Sequence, residues 1–120
     1  LALLRLGVGA GQIPGLTGVW LQPDVRSRCL RCAPELRWAP AKIAALGVKV
    51  DARGVSRHGF ALNVDPEMRF WQGIVAGGLQ GYAAASLADL MEPPPEMEQV
   101  AGRVAEAFGE VFGYEMVEVA

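Results

Sequence analysis

Three features of these 120 residues predict an α+β or mixed α/β fold, a largely antiparallel sheet carrying C-terminal helices. Two apolar runs, Lys42–Val50 and Arg57–Val64, face each other across turn residues, and a third, Leu16–Leu21, precedes them. Met97, Val100, Val104, Phe108 and Val111 recur at spacings of three and four, the stripe of an amphipathic helix of about four turns. Strands therefore come first and helices last, an order that lays helices on an antiparallel sheet.

The elements follow in chain order. Leu1–Leu6 reads as the last turns of a helix, with Gly7 where a helix commonly stops. Gly9–Gly15 reads as a loop, and Leu16–Leu21 (LTGVWL) has the β-branched and aromatic content of a short strand. Residues 22–41 change texture: Pro23, Pro34 and Pro40, with Arg26, Arg28, Arg31 and Arg37, make an inserted basic loop between two strands. Lys42–Val50 is the next strand, Asp51–Gly54 (DARG) is turn chemistry, and Arg57–Val64 returns until Asp65-Pro66 closes it. Ser86 and Asp89 have capping-box spacing and start a short helix that ends at Pro93-Pro94-Pro95. The stripe of the next helix is expected to pack on the core, and Tyr114–Val119 is a candidate edge strand.

Composition narrows the function. At 52% hydrophobic the chain can bury a core, and the residues make up a single domain. Thirteen acids against eleven bases, a net charge of -2, argue against disorder and against a nucleic-acid partner. The longest uncharged stretches, Leu6–Gln22 and Gln72–Ala88, are interrupted by Gly, Gln and Pro or Ser, so no membrane span is expected. With no leader-like segment at Leu1, a cytoplasmic protein is expected. No Met precedes Met68, so the domain is expected to be partial, the C-terminal part of a longer one.

Candidate chemistry clusters on the two middle strands. Lys42 shares a face with Ala44, Leu46, Val48 and Val50, and a lysine heading an apolar row invites desolvation; a strand-end lysine reaching back to water is the plainer reading. If Gly47 lies across from Gly59, then Ala45 lies across from Ala61, and four small residues form one smooth patch. Such a patch admits an aliphatic chain or a packed helix. His58 is the only histidine and is expected to be structural. Cys29-Leu-Arg-Cys32 is a CxxC: half a zinc site or a redox pair, with flanking arginines that would lower the thiol pKa values if close.

Taken in order, Thr17-Gly-Val-Trp20, Lys42-Ile-Ala-Ala-Leu-Gly47, His58-Gly-Phe-Ala-Leu-Asn-Val64, Ile74-Val75 leading into Gly78-Leu79, and Ser86-Leu87 resemble the lipoyl(octanoyl) transferases, the lipoate–protein ligase B family. The resemblance runs from about Gly11 to Phe112 and implies the C-terminal half of a biotin/lipoate protein ligase-like fold, with the N-terminal half missing. It implies an acyltransferase of lipoate biosynthesis that moves an octanoyl group from acyl carrier protein to a lysine of lipoyl domains, through a cysteine acyl-enzyme and without a metal or other cofactor. Its partners would be octanoyl-acyl carrier protein, the lipoyl domains of 2-oxoacid dehydrogenases and the glycine cleavage H protein. Lys42 falls on the lysine that lowers the nucleophile's pKa, and Ala45, Leu46, Gly47, Gly59, Phe60 and Ala61 fall on substrate-contacting positions.

The chain departs from the family pattern. Gly77 stands where the nucleophilic cysteine belongs, so covalent catalysis by that route is closed in the chain as written. The hydroxyl and glycine of the family's Gly-Val-Thr-Ser-Leu run are lost in Ala83-Ala84-Ala85-Ser86-Leu87, and residues 22–41 are longer than the usual connection. Two alternatives stay open: an inactive homologue that binds an acyl chain or carrier protein, and a small zinc or thiol module built on Cys29 and Cys32.

Overall fold

The computed structural model describes residues 1–32, 34–67 and 82–119. Among them a one-turn helix α1 (Ala2–Arg5) leads into β1 (Ala10–Ile13), β2 (Leu16–Leu21) and a second one-turn helix, α2 (Pro23–Arg26). Then come β3 (Ala41–Val50), β4 (Ser56–Leu62), the two-residue β5 (Ala83–Ala84) and the long helix α3 (Met97–Phe112). The sheet runs β1-β2-β3-β4 with antiparallel neighbours, while β5 pairs parallel with β3. An antiparallel sheet with a C-terminal helix is therefore the architecture. No helix among the described residues is long and apolar enough to cross a membrane.

Local chemistry explains the turns. Gly9–Gly15, expected as a loop, instead holds β1, because Pro14-Gly15 alone makes the reversal and Gly15 takes the left-handed φ of +81° that the turn needs. Between β3 and β4 the Asp51 carboxylate accepts from the backbone N–H of Arg53 at 2.8 Å and of Val55 at 3.1 Å. That Asx-type turn, with Gly54 at φ +78°, sets the hairpin register. β4 spans Ser56–Leu62, two residues short of the expected end at Val64.

The core forms where α3 and α1 meet the inner part of the sheet, around Leu6, Val8, Leu21, Ala41, Ile43, Val64, Leu87 and Val100. Only the middle of the α3 stripe contributes: Val100 is buried and Val104 packs against the cluster, but Met97, Phe108 and Val111 are exposed. The expectation that the whole stripe is core is thus corrected: both ends of it are exposed, and at the far end Phe108, Phe112 and Tyr114 pack on one another in a ring cluster of their own. Tyr114–Val119 forms no strand. Gly113 turns left-handed at φ +71°, the Tyr114 N–H bonds the Gly109 carbonyl, and the tail folds back over Gly109, where an added Cβ would meet Met116 at 2.7 Å.

The predicted cap at Ser86 opens a 3₁₀ turn, Leu87–Asp89, rather than a full helix. Its Asp89 carboxylate accepts from the Ser86 N–H at 3.0 Å, as the capping box requires.

Candidate functional site

β4 and β5 share one edge of β3 in sequence along it. β4 ends with the pair Ala44↔Leu62, and β5 takes over at Lys42↔Ala84 and Ala41↔Ala83. Asn63 closes the junction: its N–H bonds the Ile43 carbonyl, its side-chain amide donates to the Ala85 carbonyl at 3.0 Å, and its own carbonyl accepts from Leu87. Burying these polar groups costs little because each is paired. Asn63 was visible in the sequence only as the polar member of an apolar run, which is the signal that could have marked it.

Lys42 stands beside this junction, half-buried, with neighbours on both strand edges. On the other edge it pairs with Trp20 of β2, and the register shifts between Val19 and Trp20, so that these consecutive residues face Ala44 and Lys42. The Lys42 Nζ lies 5.2 Å from the centre of the Trp20 ring, within cation–π range. Trp20 is 2% exposed and is held edge-on by Tyr82 with ring centroids 5.2 Å apart. No carboxylate pairs with Lys42 among the described residues.

Gly18 makes room for this arrangement. It adopts φ +122°, and a Cβ there would sit 2.9 Å from the Ala44 carbonyl oxygen and 2.9 Å from Lys42 Cε. The Thr17-Gly18-Val19-Trp20 segment is therefore a cradle: glycine beneath the lysine stem, indole beside its charged head. Sequence reasoning gave Trp20 and Gly18 no role of their own. The close spacing of Gly and Trp on one strand was the available cue.

The expected patch is present in the expected register. Ala45 pairs with Ala61, Leu46 with Phe60, and Gly47 with Gly59. Alternation puts Ala45, Gly47, Gly59 and Ala61 on one face, and Lys42, Leu46 and Phe60 on the other. The candidate residues thus share one hairpin but not one face. Nor is Lys42's row apolar burial throughout: Ala44 is buried, yet Leu46, Val48 and Val50 are exposed. Nothing lies within 4 Å of a Cβ built on Gly47 or Gly59. Gly59 has a second reason to be glycine, its φ of +154°, and His58 before it holds a left-handed φ of +67°. His58 is exposed and makes no side-chain hydrogen bond among the described residues, which corrects its expected role as a hydrogen-bonded structural residue.

Gly77, with Ile74-Val75 and Gly78-Leu79, lies outside the described residues. Residues 22–41, read from the sequence as a basic loop, hold α2 and a 3₁₀ turn at Pro34–Leu36. Cys29 and Cys32 are disulfide-bonded to each other, so neither sulfur is available as a zinc ligand or nucleophile in this state. Among the described residues no group of three His, Cys, Asp or Glu side chains could hold a metal ion. The Leu30 N–H bonds the Asp89 carbonyl at 2.7 Å and Arg31 pairs with Asp65 at 2.9 Å, tying the loop to the segments on either side of the β3 junction.

Comparison with known proteins agrees with this frame. The family model described as the lipoyl protein ligase A/B catalytic domain matches residues 1–109. An octanoyltransferase of Chloroflexus aurantiacus is 38% identical over 113 residues, covering 94% of this chain and 44% of the relative. Those of Nostoc punctiforme and Chelativorans are 38% and 37% identical over 112 residues, covering 93% of this chain and 40% and 43% of the relatives. The chain spans about two-fifths of the length of these curated relatives.

Proposed function

As the chain belongs to the lipoyl protein ligase A/B catalytic domain family, we propose that it forms the C-terminal part of an octanoyltransferase, working in the cytoplasm on octanoyl-acyl carrier protein and on lipoyl domains. The observation that carries this reading is the hairpin register, which sets Ala45-Leu46-Gly47 against Gly59-Phe60-Ala61 next to a cradled Lys42. An open, sterically empty patch of four small residues suits an extended aliphatic chain, because no side chain stands between it and the sheet.

In the family's reaction a cysteine thiolate attacks the octanoyl thioester and expels the carrier's thiol. A lysine amine of the lipoyl domain then attacks the acyl-enzyme and frees the cysteine. Lys42 would act as the cation that favours the thiolate, with Trp20 and Gly18 holding its ammonium in place. At position 77 this chain offers a glycine, so a second reading has a specific residue in its favour: a homologue that binds octanoyl-carrier protein and does not turn it over.

Mass analysis of the protein incubated with octanoyl-acyl carrier protein and an unlipoylated H protein or lipoyl domain separates the two. The unaltered sequence is expected to bind the acylated carrier without forming an adduct. The Gly77→Cys variant is expected to gain one octanoyl group and pass it on. Failure of the unaltered protein to bind the acylated carrier, together with no adduct on Gly77→Cys, would refute both readings.

A further inference from the structure

The acyl-transfer reading makes no use of the Cys29-Leu30-Arg31-Cys32 motif, yet its surroundings are specific. The two bonded cysteines are unequal: Cys29 is 1% exposed, whereas Cys32 is partly open to solvent. Of the arginines around the motif, Arg28 is paired with Asp24 and Arg31 with Asp65. Arg26, itself only 4% exposed, points Nη1 at the Cys29 sulfur across 3.7 Å. The contact is built by the local fold. Pro23 starts α2, and the Cys29 N–H bonds the Arg26 carbonyl one turn later, which brings side chains three apart onto one face. Asp89 is the carboxylate facing Arg26 from the 3₁₀ turn, and it already accepts from the Ser86 N–H.

A guanidinium beside a sulfur stabilises the thiolate more than the thiol, and burial strengthens that attraction while opposing the charge by desolvation. Arg26 Nη1, 3.7 Å from the sulfur, is the cation placed to act on a Cys29 thiolate. In thiol–disulfide exchange the sulfur with the better-stabilised thiolate leaves, and the more accessible sulfur is attacked. Both asymmetries point the same way here.

We infer that Cys29–Cys32 is a thiol–disulfide exchange site for a small dithiol, with Cys32 the sulfur attacked and Cys29 the leaving thiolate held by Arg26. One thiolate of the dithiol attacks Cys32 Sγ, the Cys29–Cys32 bond breaks, and its electron pair passes to Cys29. The second thiolate of the dithiol then displaces Cys32 and closes a cyclic disulfide. The dithiol loses two electrons and two protons; the protein gains the two electrons, and the protons go to its sulfurs or to water. This inference does not depend on the acyl-transfer reading.

Reaction of the oxidised protein with a monothiol, glutathione, followed by acid quench and peptide mapping, tests the direction. The mixed disulfide is expected on Cys32; an equal split, or adduct on Cys29, would overturn the assignment. So would a pair left fully oxidised by both glutathione and dithiothreitol. In Cys32→Ser the ultraviolet thiolate absorbance of Cys29 is expected to titrate below the ~8.5 of an ordinary thiol. A midpoint at or above that value would sink the role of Arg26 without requiring any change at Arg26 itself. Arg26→Met is expected to slow reduction by dithiothreitol about tenfold, as a poorer leaving thiolate requires; an unchanged rate in a folded variant would count against it.

Discussion

The two halves of β3 are built from similar residues and live in different surroundings. Ala41, Ile43 and Ala44 at its start are buried, Ile43 completely, with Lys42 held between them. From Ala45 to Val50 every residue is exposed, and Val48 and Val50 are each 62% exposed. Inner-half residues are explained by packing against α1, α3 and the Leu87 turn. Outer-half residues are not explained by any contact within the described part of the chain. Residue type alone therefore says little about which half carries function; a position whose side chain no packing constrains is the better candidate for contact with a partner.

Substitutions that damage the inner half and spare the outer half test this contrast. Ile43→Ala is expected to cost about 3 kcal/mol, because it empties a fully buried site, whereas Val48→Ala in the same strand is expected to stay within about 0.5 kcal/mol. Denaturant midpoints of the two variants measure the difference, and equal losses would remove the distinction. Gly18→Ala comes next, at about 2 kcal/mol, since it forces a left-handed backbone and a side chain against the Ala44 carbonyl and the Lys42 stem. Its Cβ displaces the lysine, so the same variant in a Gly77→Cys background is expected to acylate more slowly than its stability alone explains.

The two patch glycines separate conformation from contact. Gly59→Ala is expected to lose about 1 kcal/mol through its φ of +154°, even with open space around the new methyl. Gly47→Ala has neither strain nor a clash to answer for, so its stability is expected to be unchanged while affinity for octanoyl-carrier protein falls. Affinity unaltered by Gly47→Ala would mean that the acyl chain does not cross this patch.

The smallest effect lies at the α1–α3 contact. Arg5 bonds Glu110 and holds its carboxyl below the ordinary carboxylate range. A folded-state pKa that is depressed adds stability above the unfolded value and loses it as pH falls through the folded one. Both groups are solvent-exposed, so the acid limb of a stability–pH curve is expected to flatten only slightly in Glu110→Gln, and less still at high salt.

Much of the molecule was legible in residue order because the relevant forces are local. Asp51–Gly54 carries its own turn chemistry, and the turn dictates the register that set Gly47 opposite Gly59. Gly7 and Ser86 mark their element boundaries by backbone freedom and capping, and both fall where expected. Gly9–Gly15 was misread because its glycines masked a Pro-Gly turn only two residues long.

Burial was the part that residue order could not supply. Met97, Phe108 and Val111 follow a core-like spacing, yet only Val100 and Val104 of that stripe meet the core cluster. The same holds for Lys42: its place on β3 follows from alternation, but its ammonium rests over Trp20 only because a register shift in β2 turns the indole toward it. Arg26 resembled the other loop arginines in sequence, and one turn of helix put it beside a buried sulfur. Spacing along a chain governs direction and pairing over a few residues; the depth of a side chain and the neighbour it meets are properties of the packed whole.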